Sequence, residues 1–255
     1  MAGKKETPRQ KMIGMMYLVL MAMLALNVSK DVLDAFVLVD EGLSKTTENF
    51  ASKNEVYYRE FDRAAAENEK KAGPWQAKAL EVKRRSDELY KYIQDLKLEL
   101  VTHSNLKSAE AIEEESIIGD EIEGKDNMDK PAEIMIGPNN DGKANDLRQA
   151  LDEFRDYLLS IVSEESGDVR HSLEASLDTS DPPPKEGERL NWQHQYFEHL
   201  PLIAVITLMS KMQSDVRNAE SEALGYLYSQ IDAGSFKFNA LESVVISNSN
   251  HIIRG

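Results

Sequence analysis

The chain has 255 residues, no cysteine, 30 basic against 45 acidic side chains and a formal net charge of −15. That length buries a core without disulfide or metal staples, and 41% hydrophobic with 29% charged residues describe a folded body rather than a disordered one. The acidic balance excludes a phosphate-binding nucleic-acid surface, and the missing thiols exclude disulfides, thiolate metal sites and thiol nucleophiles. Seven per cent aromatic content and 13 glycines suit helices better than sheets.

Charge is unevenly placed. Residues 1–11 carry +3, from Lys4, Lys5, Arg9 and Lys11 against Glu6, and the remainder carries −18. Between the two blocks, residues 12–29 form a run of eighteen uncharged positions. As a helix this run is about 27 Å long, close to the ~30 Å hydrocarbon thickness of a bilayer. A buried core helix, a cleaved signal peptide and an uncleaved membrane anchor all compete for it. Its length favours the anchor, since signal-peptide apolar regions are shorter. The positive-inside rule then places residues 1–11 in the cytoplasm, a transmembrane helix at 12–30 in the bacterial inner membrane, and the acidic body across it in the periplasm.

Thr7-Pro8-Arg9-Gln10 reads as a helix start, with Thr7 as cap and Pro8 in the first helical position. Arg9 therefore falls in the first turn, at the membrane edge. Two partners fit it: lipid phosphates, if it only marks topology, or a protein carboxylate, because an unpaired charge there is costly. The apolar run itself holds no Asp or Glu, so any proton-binding carboxylate has to come from another chain. Gly14, Ala22 and Ala25 fall roughly on one helix face and suit close helix packing, while Tyr17 and Asn27 are its polar groups.

Past the anchor, Phe36, Leu43, Phe50, Tyr57 and Ala64 recur every seven residues and predict a long helix with one apolar seam, broken by Gly73-Pro74. A second helix from about Trp75 places Val82, Leu89, Ile93, Leu96 and Leu100 on one face and ends near His103-Ser104-Asn105. Residues 105–144 read as an acidic excursion with a short strand at 133–136. A third helix, capped at Asn145 or Asp146, turns Leu147, Leu151, Phe154, Leu158 and Ile161 inward and runs toward Leu177. Asp181-Pro182-Pro183-Pro184 makes a stiff link. A fourth helix, from Trp192 or after Pro201, carries Val205, Leu208, Met212, Val216, Ala219 and Ala223 to about Ile231. The expected architecture is mainly α: an antiparallel helical bundle over 31–233, followed at 234–255 by the start of a β domain, where Phe236 and Phe238 alternate with polar residues and Val244-Val245-Ile246 is β-rich.

Motifs that carry chemistry are absent: there is no GxSxG, HExxH, Walker loop or GxGxxG, and Asn139-Asn140-Asp141-Gly142 fails the calcium-loop pattern. His194 and His199 are five apart, about 140° around a helix, and so do not share a ligand face. No catalytic residue, cofactor or metal site is expected, and no enzyme.

Several stretches carry a family resemblance. Thr7-Pro8-Arg9-Gln10-Lys11-Met12, Met16-Tyr17-Leu18-Val19 and Ala22-Met23-Leu24-Ala25-Leu26-Asn27-Val28-Ser29-Lys30 resemble the amino-terminal anchor of the GldM/PorM family of gliding motility and type IX secretion. Tyr196-Phe197-Glu198-His199-Leu200-Pro201, Lys211-Met212-Gln213-Ser214-Asp215-Val216-Arg217 and Ser247-Asn248-Ser249-Asn250-His251-Ile252-Ile253-Arg254-Gly255 are also similar to that family. The resemblance implies the amino-terminal half of a non-enzymatic subunit of an inner-membrane rotary motor driven by the proton-motive force. A homodimer of anchors would sit in the lipid bilayer inside a pentameric ring of GldL/PorL-type subunits. The periplasmic part, helical and then immunoglobulin-like, would reach toward a GldK/GldN (PorK/PorN) assembly, and Arg9 would pair with a ring carboxylate. The alternatives are a single-pass periplasmic sensor, which would need a cytoplasmic output, and an ExbD- or MotB-like stator subunit. Those stators carry an Asp in or just after the anchor, and the first one here is Asp31.

Overall fold

The computed structural model describes residues 8–26, 30–104, 111–113, 116–183 and 191–239. They form the helices α1 (Pro8–Leu26), α2 (Lys30–Glu67), α3 (Glu69–Ser104), α4 (Asp129–Met135), α5 (Ala144–Ile161), α6 (Gly167–Ser176), α7 (Trp192–Phe197) and α8 (Leu202–Asn239). A two-stranded antiparallel ribbon joins β1 (Ile112–Glu113) to β2 (Ser116–Ile117). The mainly helical class is therefore found.

α1 follows the expected start, with Pro8 at its first position. Pro8–Lys11 are polar or charged, which leaves fifteen uncharged residues, 12–26, in the described helix. Those rise about 22 Å, short of the ~30 Å hydrocarbon. Accordingly, among the described residues no helix is long and apolar enough to cross a membrane. The expected span at 12–30 runs through residues 27–29, which lie outside the described residues, as do Thr7 and Asn27.

The turn between α2 and α3 corrects the sequence reading. One residue, Asn68, separates them: its N–H donates to the Ala64 carbonyl, ending α2, and its side-chain oxygen accepts from the Lys71 N–H, opening α3. Gly73-Pro74 does not break the helix. Pro74 sits in the second turn, where its missing N–H costs a single intrahelical bond. The strand expected at 133–136 is instead part of α4, because the Asn127 side chain accepts from the Asp129 and Lys130 N–H groups at 3.0 Å and Pro131 falls in the first turn. The third helix stops at Ile161, and α6 is a separate return. Both proposed starts of the fourth helix exist, as α7, capped by Asn191, and α8. α8 continues through Gly234 to Asn239, past the expected change of period at 234; residues 240–255 lie outside the described residues.

The chain divides into two compact units, and α2, α3, α5 and α8 contribute residues to both. The first is built from Met1–Lys45, Ile93–Arg148 and Ser180–Met212. Its core collects Val37, Ile93, Leu100, Leu147, Trp192, Phe197, Ile203 and Ile206. The loop before α4 feeds α8: the Leu202 and Ile203 N–H groups donate to the Asn127 and Lys125 carbonyls, satisfying donors a helix start leaves open. His199 takes a left-handed φ of 57° between α7 and Pro201, which lets the chain reverse there.

The second unit is built from Thr46–Tyr92, Gln149–Thr179 and Gln213–Gly255. Its contacts give the helix directions. Glu55 meets Lys83 and Asp62 meets Gln76, so α3 runs against α2. Arg85 lies over Tyr157 and Leu89 borders Phe154, so α5 also opposes α3. α8, however, runs with α2, since Tyr58 meets Glu220 and Phe61 meets Tyr228. The expected alternation is completed by a different segment: α6 returns along α5, with the Arg170 guanidinium on the Leu159 and Val162 carbonyls and the Arg155 guanidinium on that of Leu177.

Every described side chain of α1, residues 8–21, is exposed, so the cores are built without those residues. A chain starting at Lys30 is expected to keep its helical circular dichroism and a cooperative denaturant transition; loss of cooperativity would place part of the core in α1.

Candidate functional site

The α2 seam is not where the hydrophobic pattern puts it. Phe36, Leu43, Phe50, Tyr57 and Ala64 are all half-buried, and the buried stripe next to them is Leu33, Val37, Asp40, Thr47, Asn54, Tyr58 and Phe61. Polar residues thus occupy heptad positions 40, 47 and 54 inside the protein. α8 answers with Thr207, Ser210, Ser214 and Ser221, spaced three, four and seven apart on a helix buried on almost every side. α3 adds Ser86 and Lys97. Asp40, Ser210 and Lys97 meet in the first unit, and Asn54, Tyr58 and Ser86 meet Glu220 and Arg217 in the second.

In the first unit, Lys97 on α3 is 5% exposed and its Nζ donates to the Ser210 hydroxyl of α8 at 2.6 Å. That hydroxyl donates onward to the Asp40 carboxylate of α2 at 2.5 Å. Burial holds the Lys97 ammonium below the ordinary lysine pKa, and the Asp40 charge opposes the effect. One turn away, the Thr207 hydroxyl lies 3.2 Å from the Phe36 carbonyl.

In the second unit the centre is Glu220, 1% exposed. One carboxylate oxygen accepts from the Tyr58 hydroxyl. The other accepts from the Ser86 hydroxyl and the Arg217 guanidinium, each at 2.8 Å. Arg217 also pairs with Asp87 at 2.8 Å and lies over the Tyr90 ring at 4.8 Å. Burial works against the Arg217 charge, but Glu220 and Asp87 more than offset it and raise its pKa. Burial, then the charge and bond of Glu220, push the Tyr58 hydroxyl far above the ordinary tyrosine range. Asn54 closes the set, donating to the Arg217 carbonyl at 3.0 Å. Tyr58, Ser86, Arg217 and Glu220 satisfy one another, and the cluster ties α2, α3 and α8 together.

A shallow groove of about 230 Å³ in the second unit lies between α3 and α5, floored by Leu89 and Phe154 and edged by Arg85, Glu88 and Glu153. Its arginine is already engaged: Arg84 and Arg85 grip Glu81, and their hydrogen bonds hold that carboxyl down at about 2. Among the described residues no group of three or more His, Asp or Glu side chains could hold a metal ion.

The residues chosen from the sequence lie elsewhere. Arg9 and Tyr17 are exposed on α1, and a Cβ at Gly14 would meet nothing within 4 Å. Ala22 and Ala25 lie in α1 by backbone, and Asn27 lies outside the described residues. Asp31 stands exposed in the first turn of α2, where an acid complements the helix dipole. Neither cluster was found from the sequence. Lys211-Met212-Gln213-Ser214-Asp215-Val216-Arg217, noted for family likeness, supplies Gln213, Ser214 and Arg217 to the interior.

These features define a helical-bundle domain with an interior fastened by ion pairs and hydroxyls. Residues 31–230 match the family model of the GldM N-terminal domain, so the chain belongs to the GldM family and is a protein related to gliding motility and type IX secretion. No curated protein matches it.

Replacing Glu220 tests the cluster. Glu220→Ala removes the acceptor of the Tyr58 and Ser86 hydroxyls and leaves Arg217 with Asp87 as its acidic partner; it is expected to cost about 3 kcal/mol, with Glu220→Gln costing less because an amide oxygen still accepts. Denaturant midpoints measure both; a cost below about 1 kcal/mol for Glu220→Ala would mean water replaces the carboxylate.

Proposed function

We propose that this chain is the anchor-bearing, non-enzymatic subunit of an inner-membrane motor driven by the proton-motive force, carrying motion from a membrane ring into the periplasm. The observation that carries the reading is α1. Its residues 12–21 are exposed on every side although nearly all are apolar, and it opens on Arg9. A helix apolar all round needs an apolar medium or partner. With residues 27–29 the uncharged run reaches eighteen positions, enough to cross a membrane with the amino end in the cytoplasm.

Family membership supports the remainder of the reading. Two copies would place their anchors inside a pentameric GldL/PorL-type ring, and the helical body would extend toward a GldK/GldN (PorK/PorN)-type assembly. Arg9 attracts a ring carboxylate when it is ionised and releases it when it is protonated. Proton entry and exit on different sides of the ring then become stepwise turning about the dimer. One charge moving through 100 mV supplies about 2.3 kcal/mol, enough to break a partly screened ion pair. The lack of Asp and Glu in residues 12–29 supports a proton-carrying group that comes from the ring.

Arg9→Ala is expected to abolish gliding and secretion at normal membrane levels, since Lys4, Lys5 and Lys11 still set the topology. Arg9→Lys is expected to be defective, because an ammonium lacks the planar two-bond fork. Normal activity of Arg9→Ala at normal levels would reduce the arginine to a topology mark.

A further inference from the structure

We infer that the Asp40–Ser210–Lys97 chain is a register lock: it fixes the axial position of α8 against α2 and α3, and thereby positions the helices that transmit motion. The inference rests on the transmission reading for its functional consequence, but its structural content stands apart from that reading.

The argument begins with what apolar packing does not specify. Around Asp40 the first unit is lined by aliphatic side chains, Val37, Ile93, Val205, Ile206 and Met209, all buried. Burial of such groups is non-directional, and a helix slipped by one turn, about 5.4 Å, still covers much of the same area. An ion pair bridged by one hydroxyl is different: it is satisfied at one register. Lys97 reaches Ser210 at 2.6 Å and Ser210 reaches Asp40 at 2.5 Å, so three helices meet at one oxygen. Slide α8 by one turn in one direction and Ile206 takes the place of Ser210, leaving Asp40 without its hydroxyl donor. Slide it the other way and Ser214 arrives, so this is the slip most easily accommodated once the charges are removed. Both displacements separate Lys97 from the Ser210 hydroxyl and so break the bridge to Asp40, and lengthening a buried ion pair is strongly disfavoured. A single buried polar contact that selects one register among several apolar ones is the best-attested use of such groups in helical assemblies. The neighbouring Thr207–Phe36 contact, at 3.2 Å, marks the native register on the same helix pair.

A chain without cysteine permits a direct reading of register. In the full-length protein in membranes, Phe36→Cys is combined with Thr207→Cys for the native register, and with Lys211→Cys or Ile203→Cys for the two one-turn slips. Oxidative cross-linking is compared in the native background and in Asp40→Leu/Lys97→Met, which removes both charges. Asp40→Asn/Lys97→Gln, closer in shape, serves if the apolar pair fails to accumulate. The native background is expected to cross-link 36 to 207. The neutral backgrounds should shift product toward 36–211 or 36–203 by about tenfold relative to 36–207, which corresponds to about 1.4 kcal/mol of register preference. An unchanged cross-link pattern in a neutral variant present at normal level overturns the lock, whatever the motility. A shifted pattern with lost gliding supports the lock and the transmission reading together. A shifted pattern with normal gliding keeps the lock and removes the transmission role of this part of the bundle.

Discussion

A carboxylate with 1% of its surface exposed has to be answered inside the protein, and Glu220 sets the terms for everything around it. Three donors reach it: a phenol from α2, a hydroxyl from α3 and a guanidinium from one turn earlier on α8. Arg217 in turn requires Asp87, and its carbonyl receives Asn54. None of these groups can leave without stranding another. The direct gain of such a buried pair over an apolar alternative is modest, but the loss on breaking it is large. The cluster therefore acts more on which packing the helices adopt than on how much area they bury.

Much of the fold was legible, and the failures share a cause. Stripes such as Val82–Leu89–Ile93–Leu96–Leu100 and Leu147–Leu151–Phe154–Leu158 are buried as read, because large apolar residues dominate the core-facing sides of those helices. On α2 the reading landed on the flank of the buried face: positions 40, 47 and 54 lie four residues after 36, 43 and 50. Large apolar side chains at 36, 43, 50 and 57 flank the interior, while Asp40, Thr47 and Asn54 occupy it. A hydrophobicity pattern ranks those three as surface, and only partners on α3 and α8 make them core. A signal was present in α8, where Thr207, Ser210, Ser214, Arg217 and Ser221 recur at helical spacing within an otherwise apolar run. Asn68 and Asn127 show the same limit on a smaller scale: a side-chain cap one or two residues long outweighs a Gly-Pro pair and a β-rich tetrapeptide. The Phe236–Phe238 alternation gave way to continuation of α8, since a helix already running needs only one more bond per residue.

The candidate site divides in the same way. Arg9, Gly14 and Tyr17 were accessible to sequence reasoning because a charge, a gap and an aromatic in an apolar run are local features. In the structure all lie on a helix with every described side chain exposed. The two interior clusters were not accessible, because Asp40 and Lys97, or Tyr58 and Glu220, are brought together only by folding. The described side chains of α1 face outward, and the body turns its polar groups inward.

Hydrogen exchange on the full-length protein tests the central claim most directly, namely that each interior polar cluster holds its stretches of α2, α3 and α8 together within its own unit. The account predicts that backbone amides flanking Asp40, Lys97 and Ser210 in the first unit share one slow free energy of exchange, and that those flanking Arg217 and Glu220 in the second unit share one of their own. Exchange within either set by separate, lower-energy openings, with α8 released while α2 and α3 stay protected, would contradict it.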